Sequence, residues 1–195
     1  MPEYISLIVE DLVQEEILRK ILKEYRPKIE IKAVFGLRGN RYIQKKLFNF
    51  NKAAQYNPYL VLTDLDREEC PPILIEKWVN FDKHPKLIFR IAVREAESWL
   101  IADRKNFASY LGISAAKIKG YPEEIANPKE YLVNLARSSR IRRIREDIVP
   151  EGTAHVGRNY NSTLIDFIRN RWDIEAARKY SESLSGLIKS ISNLP

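Results

Sequence analysis

Four short apolar runs recur through the first hundred residues, each separated from the next by a segment of helical spacing. They are YISLIV (4–9), IEIKAVF (29–35), PYLVLTD (58–64) and KLIFRIAV (86–93). Between the first two, Leu18, Ile21, Leu22 and Tyr25 follow i, i+3, i+4, i+7, the period of a helix that buries one face. Pro27 closes that helix. GLRGN (36–40) reads as a turn, because two glycines and an asparagine supply permissive backbone positions. Ile43, Leu47 and Phe50 mark a second helix, and PPILIEKWV (71–79) opens a third with prolines in its first turn. Strands apolar at nearly every residue are buried on both faces, and parallel strands need long crossovers, usually helical. The alternation therefore predicts an α/β fold, a parallel four-stranded sheet with helices on both faces.

After Val93 the pattern turns to helix and loop. REAESWLIAD (94–103) and NPKEYLVNLARSSRIRRIRED (127–147) read as helices, residues 148–161 as a loop, and about 162–171 and 173–191 as two more helices. This places a core at 1–103 and a basic helical extension, packed on it, at 104–195. The charge divides the same way. Residues 1–103 carry 17 Lys+Arg against 16 Asp+Glu, whereas 104–195 carry 16 against 10, which is nearly all of the net +7. Such an excess favours a polyanionic partner met by the second half. No apolar run approaches the roughly 20 residues that span a bilayer, so no membrane partner is expected. The single cysteine, Cys70, excludes an intramolecular disulfide and a Cys-based zinc cluster. The N-terminus lacks the basic leader of a signal peptide, and the cytoplasm is the expected compartment.

In an open parallel sheet, ligands gather at the carboxyl ends of the strands. The first run ends with Glu10 and Asp11, the third with Asp64 and Asp66, and the fourth with Arg94, Glu95 and Glu97. The second ends in the Gly-rich turn with Arg38, Asn40 and Arg41. Residues i and i+2 of an extended chain point the same way, so Asp64 and Asp66 are expected to crowd each other unless something positive lies between them. Carboxylates held together raise one another's pKa, and a hard cation such as Mg2+ or Mn2+ relieves the repulsion. Such a site suits phosphoryl chemistry. The simpler reading is that these acids cap the helices that follow them.

The spans IVEDLVQEEIL and VLTDLDRE, two strand–helix units apart, resemble a Toprim domain. That family ends its first strand with a Glu and its third with an Asp-x-Asp pair, and occurs in topoisomerases, primases, small recombination and maturation nucleases and the overcoming-lysogenization-defect nucleases. AVREAESWLIAD, with the later GRNYNSTLIDFI, is similar to the small stand-alone Toprim-like proteins of bacterial defence contexts grouped as DUF4276. The resemblance implies a Toprim-like sheet over residues 4–103. It implies that Glu10 is a general acid/base or metal ligand and that Asp64 and Asp66 are the metal-binding pair. Glu95 or Glu97 would be the further acid of the nuclease branch; about 200° apart on a helix, only one of them is expected to face the metal. The sequence departs at Asp11, where many Toprim domains carry glycine. An added carboxylate there either tightens metal binding or caps the helix.

Arg38 and Arg41 flank Gly39 in a turn suited to a phosphate, although the Gly-Lys-Ser/Thr ending of a P-loop is absent. RSSRIRRIR (137–145) holds five arginines, Arg137, Arg140, Arg142, Arg143 and Arg145, with Ile141 and Ile144 placed to anchor one helical face. Contacts made by such a run are with phosphates and are salt-sensitive; the alternative is a solvated face paired with Glu146, Asp147 and Glu151. His155, near Arg158 in a loop, is a candidate proton shuttle. Trp78, Trp99 and Trp172 read as packing residues.

The expectation is a Mg2+- or Mn2+-dependent nuclease acting on nucleic acid, DNA ahead of RNA, with defence against phage or plasmids drawn from the resemblance alone. The competing expectation is an inactive Toprim-like module that docks on nucleic acid or a partner ATPase. A homodimer is compatible with either.

Overall fold

The computed structural model describes residues 3–194. The chain forms two compact units, one of Met1–Val93 with Gly186–Pro195 and the other of Arg94–Ser185.

In the first unit the alternation of strand and helix is realised as β1 (Glu3–Val9), α1 (Leu12–Tyr25), β2 (Ile29–Gly36), α2 (Asn40–Ala53), β3 (Tyr59–Asp64), α3 (Pro71–Trp78) and β4 (Leu87–Ala92). The strands make one sheet in the order β2-β1-β3-β4, and every pairing is parallel. The two most deeply buried strands occupy the centre: β3 is buried at all six residues, as is β1 from Ile5 onward. Ile8, Tyr59, Val61, Phe89 and Ile91 belong to one apolar cluster with Ile43 and Leu47 of α2 and Leu74 of α3. Strand alternation leaves Leu7, Leu60 and Leu62 for the opposite face, that of α1, whose Ile17, Leu18 and Ile21 are fully buried. Each such side chain contributes about 1.5–3 kcal/mol by leaving water. The expected α/β fold is thus present.

The register sets where the strands end. Ile8 lies opposite Val61 and Val9 opposite Gly36, so β1, β2 and β3 deliver their last residues to one rim. Gly36, at φ +103°, lets β2 leave the sheet where a Cβ would strike the Val9 carbonyl oxygen. The turn is then tied down by Leu37 N donating to Val9 O at 2.9 Å and Gly39 N to Glu10 O at 3.2 Å.

The second unit is helical: α4 (Glu97–Ala102), α5 (Arg104–Leu111), α6 (Pro128–Arg137), α7 (Arg142–Ile148), α8 (Tyr160–Asn170), α9 (Ile174–Ala177) and the start of α10 (Glu182–Ser192). All six residues of α4 are buried. Trp99 is fully buried, donates its indole N–H to Ser183 Oγ at 2.7 Å and receives the Trp172 indole N–H on its carbonyl at 3.2 Å.

Three sequence expectations are corrected. The helix expected over 127–147 is two, because Ser139 Oγ takes the Ile141 N–H at 3.0 Å and donates to the Leu111 carbonyl, which draws the backbone out of the helix. The helix expected over 173–191 is likewise interrupted, and α10 restarts where Ser181 Oγ accepts the Leu184 N–H at 3.1 Å. The boundary expected at residue 103 falls between Val93 and Arg94, because α4 builds the core of the second unit. The last residues return to the first unit, where Arg26 Nη1 donates to Leu194 O at 2.6 Å and Arg90 to Ser190 Oγ.

Gly36→Ala is expected to lower stability by about 3 kcal/mol or more, since it adds positive-φ strain to a backbone clash. A urea midpoint unchanged from that of the wild type would show that the rim tolerates a side chain.

Candidate functional site

The rim at the ends of β1 and β3 is organised by the first turn of α1. Asp11 is the N-cap, its Oδ1 accepting the Gln14 N–H at 2.9 Å. This answers the question posed by the extra acid at position 11: it caps the helix. Gln14 is 1 % exposed, and its Oε1 accepts the Glu10 backbone N–H at 2.9 Å. A backbone N–H can only donate, so the side-chain amide has one permitted orientation. Its Nε2 then faces Asp64 and donates to Oδ1 at 2.9 Å. One neutral side chain therefore joins the end of β1 to the end of β3.

Glu10 completes the junction. Its Oε1 accepts the Asp64 backbone N–H at 2.9 Å and the Thr63 hydroxyl. Burial raises the Glu10 carboxyl above its ordinary value; the bonds from Thr63 and Asp64 oppose that rise, and the negative charges of Asp66 and Asp11 add to it.

Asp66 reaches the same rim by a route the i, i+2 argument did not anticipate. The strand ends at Asp64, Leu65 turns into the core, and Asp66 takes φ +52°. Its carboxylate accepts the Asn40 Nδ2–H at 2.9 Å, which ties it to the first residue of α2. Leu37, in the turn before α2, has φ +57°. Among the described residues, Leu37 and Asp66 are the non-glycine positions with positive φ, and both border this rim. Strain of this kind concentrates at working sites.

Among the described residues, no group of three or more His, Cys, Asp or Glu side chains is arranged to hold a metal ion. The donor set nonetheless suits a hard cation. Glu10, Asp64 and Asp66 offer carboxylate oxygens, and Mg2+ commonly takes only one or two protein carboxylates, completing its shell with water and substrate phosphate.

The remaining sequence candidates are placed as follows. Glu95 Oε2 accepts the Lys129 backbone N–H at 2.7 Å, at the start of α6. Glu97 is 2 % exposed; its Oε1 accepts the Tyr160 hydroxyl at 3.0 Å and lies 3.4 Å from Lys129 Nζ. Both acids thus take part in packing the second unit. Arg38 and Arg41 are exposed at the turn into α2, Arg38 over the Tyr42 ring at 5.6 Å. Of the arginine run, Arg142 pairs with Glu146 at 2.7 Å and Arg143 with Asp147 at 3.2 Å, while Arg145 donates to the Ser139 carbonyl. Arg137 ends α6 and Arg140 lies in the turn before α7, both exposed, with Ile144 buried and Ile141 exposed. His155 and Arg158 are exposed in the loop before α8.

The sequence reading placed Asn40 at this rim without giving it a role, and it missed Gln14 and Thr63. For Gln14 a signal exists: an acid followed three residues later by Gln, at the start of an apolar period, is the pattern of a capping box. Thr63 and Asn40 carry no comparable mark.

No family model matches the chain, and no curated protein matches it. Among solved structures it is similar to the C-terminal region of the Burkholderia pseudomallei OLD protein, at 16% identity and a TM-score of 0.47 over 96% of this chain and 98% of that one.

Gln14→Met keeps the volume but leaves the Glu10 N–H and Asp64 Oδ1 without this partner, an expected loss of about 2–4 kcal/mol in chemical denaturation; a loss below about 0.5 kcal/mol would deny Gln14 its bridging role. Glu10 gives a pH signature. A carboxyl raised in the folded state binds more protons there than in the unfolded chain, so its contribution is full below the ordinary value of 4.5 and is lost as pH rises through the folded value. In chelator, the stability of wild type minus that of Glu10→Gln should therefore fall over this window and level off above it. A flat difference would remove the perturbation.

Proposed function

We propose that the chain is a Mg2+- or Mn2+-dependent nuclease hydrolysing the phosphodiester backbone of nucleic acid, DNA ahead of RNA. The reading is carried by one observation: Glu10, partly buried and with its carboxyl raised above the ordinary value, is bonded to the backbone of Asp64 and feels the charge of Asp66 at the end of a parallel sheet. The Toprim resemblance in the sequence supports the same residues.

Asp64 and Asp66 would hold the ion, which when bound supplies charge neutralisation at the phosphate and a more acidic water. Asp64 and Asp66 are kept in place for this by Gln14 and Asn40. Glu10 serves as the proton carrier. The Thr63 hydroxyl and the Asp64 N–H both fall on Oε1, so proton transfer is assigned to Oε2. A glutamate with a raised pKa is suited to take a proton from water and return it to the departing oxygen. Arg38 and Arg41 would contact the scissile strand's phosphates. The exposed arginines of 137–145 and Arg158 would add sequence-independent contacts. A role in defence against phage or plasmids follows the sequence resemblance.

The module reading keeps one observation on its side: the acids are held by neutral donors, without a three-acid group among the described residues. Asp64→Ala/Asp66→Ala separates the two. With Mg2+ or Mn2+, cleavage of plasmid or single-stranded DNA is expected to fall at least about 100-fold, as loss of several kcal/mol of transition-state stabilisation requires, while DNA retention persists. A wild type that cleaves neither DNA nor RNA with either ion, alone or with a partner ATPase, would leave the module.

A further inference from the structure

The stretch between Glu30 and Asp64 contains no Asp or Glu across 33 residues, yet carries six Lys and Arg. At its centre is α2, whose buried side is Ile43, Leu47 and Asn51. Away from that side, Arg41, Lys45, Phe48 and Lys52 follow one another at four, three and four residues and are all exposed. On a helix this spacing confines them to a strip roughly 60° wide. The strip continues for one more turn beyond the helix, where Tyr56 N donates to Ala53 O at 3.1 Å. Phe48 is 47% exposed and Tyr56 81%. Lys52 Nζ lies 4.5 Å from the Phe48 ring centroid, so cation and aromatic already share one surface.

We propose that this strip is a binding track for single-stranded nucleic acid, leading to the carboxylates. Two properties of the strip define its occupant. Its charge is positive and is undiluted by acids within the segment, which selects a polyanion. Its aromatic rings reach solvent, Tyr56 most fully, and a base can lie on such a ring only when it is not inside a duplex. A folded protein partner with an acidic patch would use the lysines but leaves the alternation of ring and cation without a purpose. The end point is set by Asn40, the first residue of α2, whose side chain is bonded to Asp66. A strand lying along the helix therefore runs up to the rim that holds Glu10, Asp64 and Asp66. Only this end point rests on the proposed hydrolytic reading; the binding does not.

The test is fluorescence anisotropy in EDTA, where no metal-dependent cleavage occurs, using a labelled 20-mer of thymidylate and a 20-base-pair duplex. The wild type is expected to bind the single strand at least about tenfold more tightly than the duplex. Phe48→Ala/Tyr56→Ala should lose about tenfold or more for the single strand, as removal of base stacking does elsewhere, and little for the duplex. Because Phe48 also packs edge-on against Phe81 at 5.4 Å, Tyr56→Ala alone, at the more exposed position, guards against a folding defect and should show the same selective loss. Lys45→Ala/Lys52→Ala should reduce the slope of log affinity against log salt by about 1.4. Equal losses for both ligands, unchanged single-strand binding in both aromatic variants, or preference for the duplex would overturn the track. Ring-dependent binding by a protein that cleaves nothing would keep the track and remove the hydrolytic reading; cleavage without ring-dependent binding would do the reverse.

Discussion

A single amide joins the ends of the two central strands of this protein. Gln14 accepts the backbone N–H that follows β1 and donates to the acid that ends β3. Because it is buried and its two ends are chemically distinct, it admits one arrangement and fixes the polarity of what it touches. Asp64 must present an accepting oxygen to it. Glu10, in turn, is pinned from the other direction by the hydroxyl of Thr63 and the N–H of Asp64. The pair of acids is thus spaced by neutral groups that neither cancel their charge nor permit them to drift apart. Such a support is preorganisation in its simplest form: neighbouring partners that fix how the acids are oriented.

Parallel pairing is what makes such a junction available. Residues 10 and 64 are far apart in the chain, yet the match of Ile8 with Val61 brings their backbones level. β1 and β3 are neighbours in the middle of the sheet, so the acids that follow them emerge side by side. The sequence periodicity was sufficient to read a parallel sheet with acids at one rim, though not the order of its strands, because burial on both faces leaves a plain mark in composition. It was also sufficient to nominate Glu10, Asp64 and Asp66. What it could not supply was the route to Asp66. An alternation argument assumes that the strand continues, whereas the chain leaves β3 at Asp64 and turns through a left-handed residue. The roles of Thr63 and Asn40 were hidden for a related reason: they are tertiary, and a lone hydroxyl or amide has no local pattern.

The helical second unit was harder to read, and its serines explain why. Apolar spacing runs on through 138–141 and 178–181, but Ser139 and Ser181 offer the backbone a competing partner and end the helical ladder. The same interruption changes the meaning of the arginine run. On one helix, Arg137 through Arg145 would form a continuous cationic face. Split among the end of α6, a turn and α7, two of them pair with acids one turn along and another folds back onto a carbonyl. Glu95 and Glu97 show the same gap between type and use: acids in a promising order are occupied by the start of α6 and by Tyr160.

The path of α10 bears on how the protein is made. Its first residues belong to the helical unit and its last to the sheet unit, where Leu187, Ile188 and Ile191 are buried. During synthesis, therefore, the sheet unit cannot close its apolar surface when residue 93 leaves the ribosome. The residues from 186 onward, made last, complete that unit only after the whole helical unit has been synthesised.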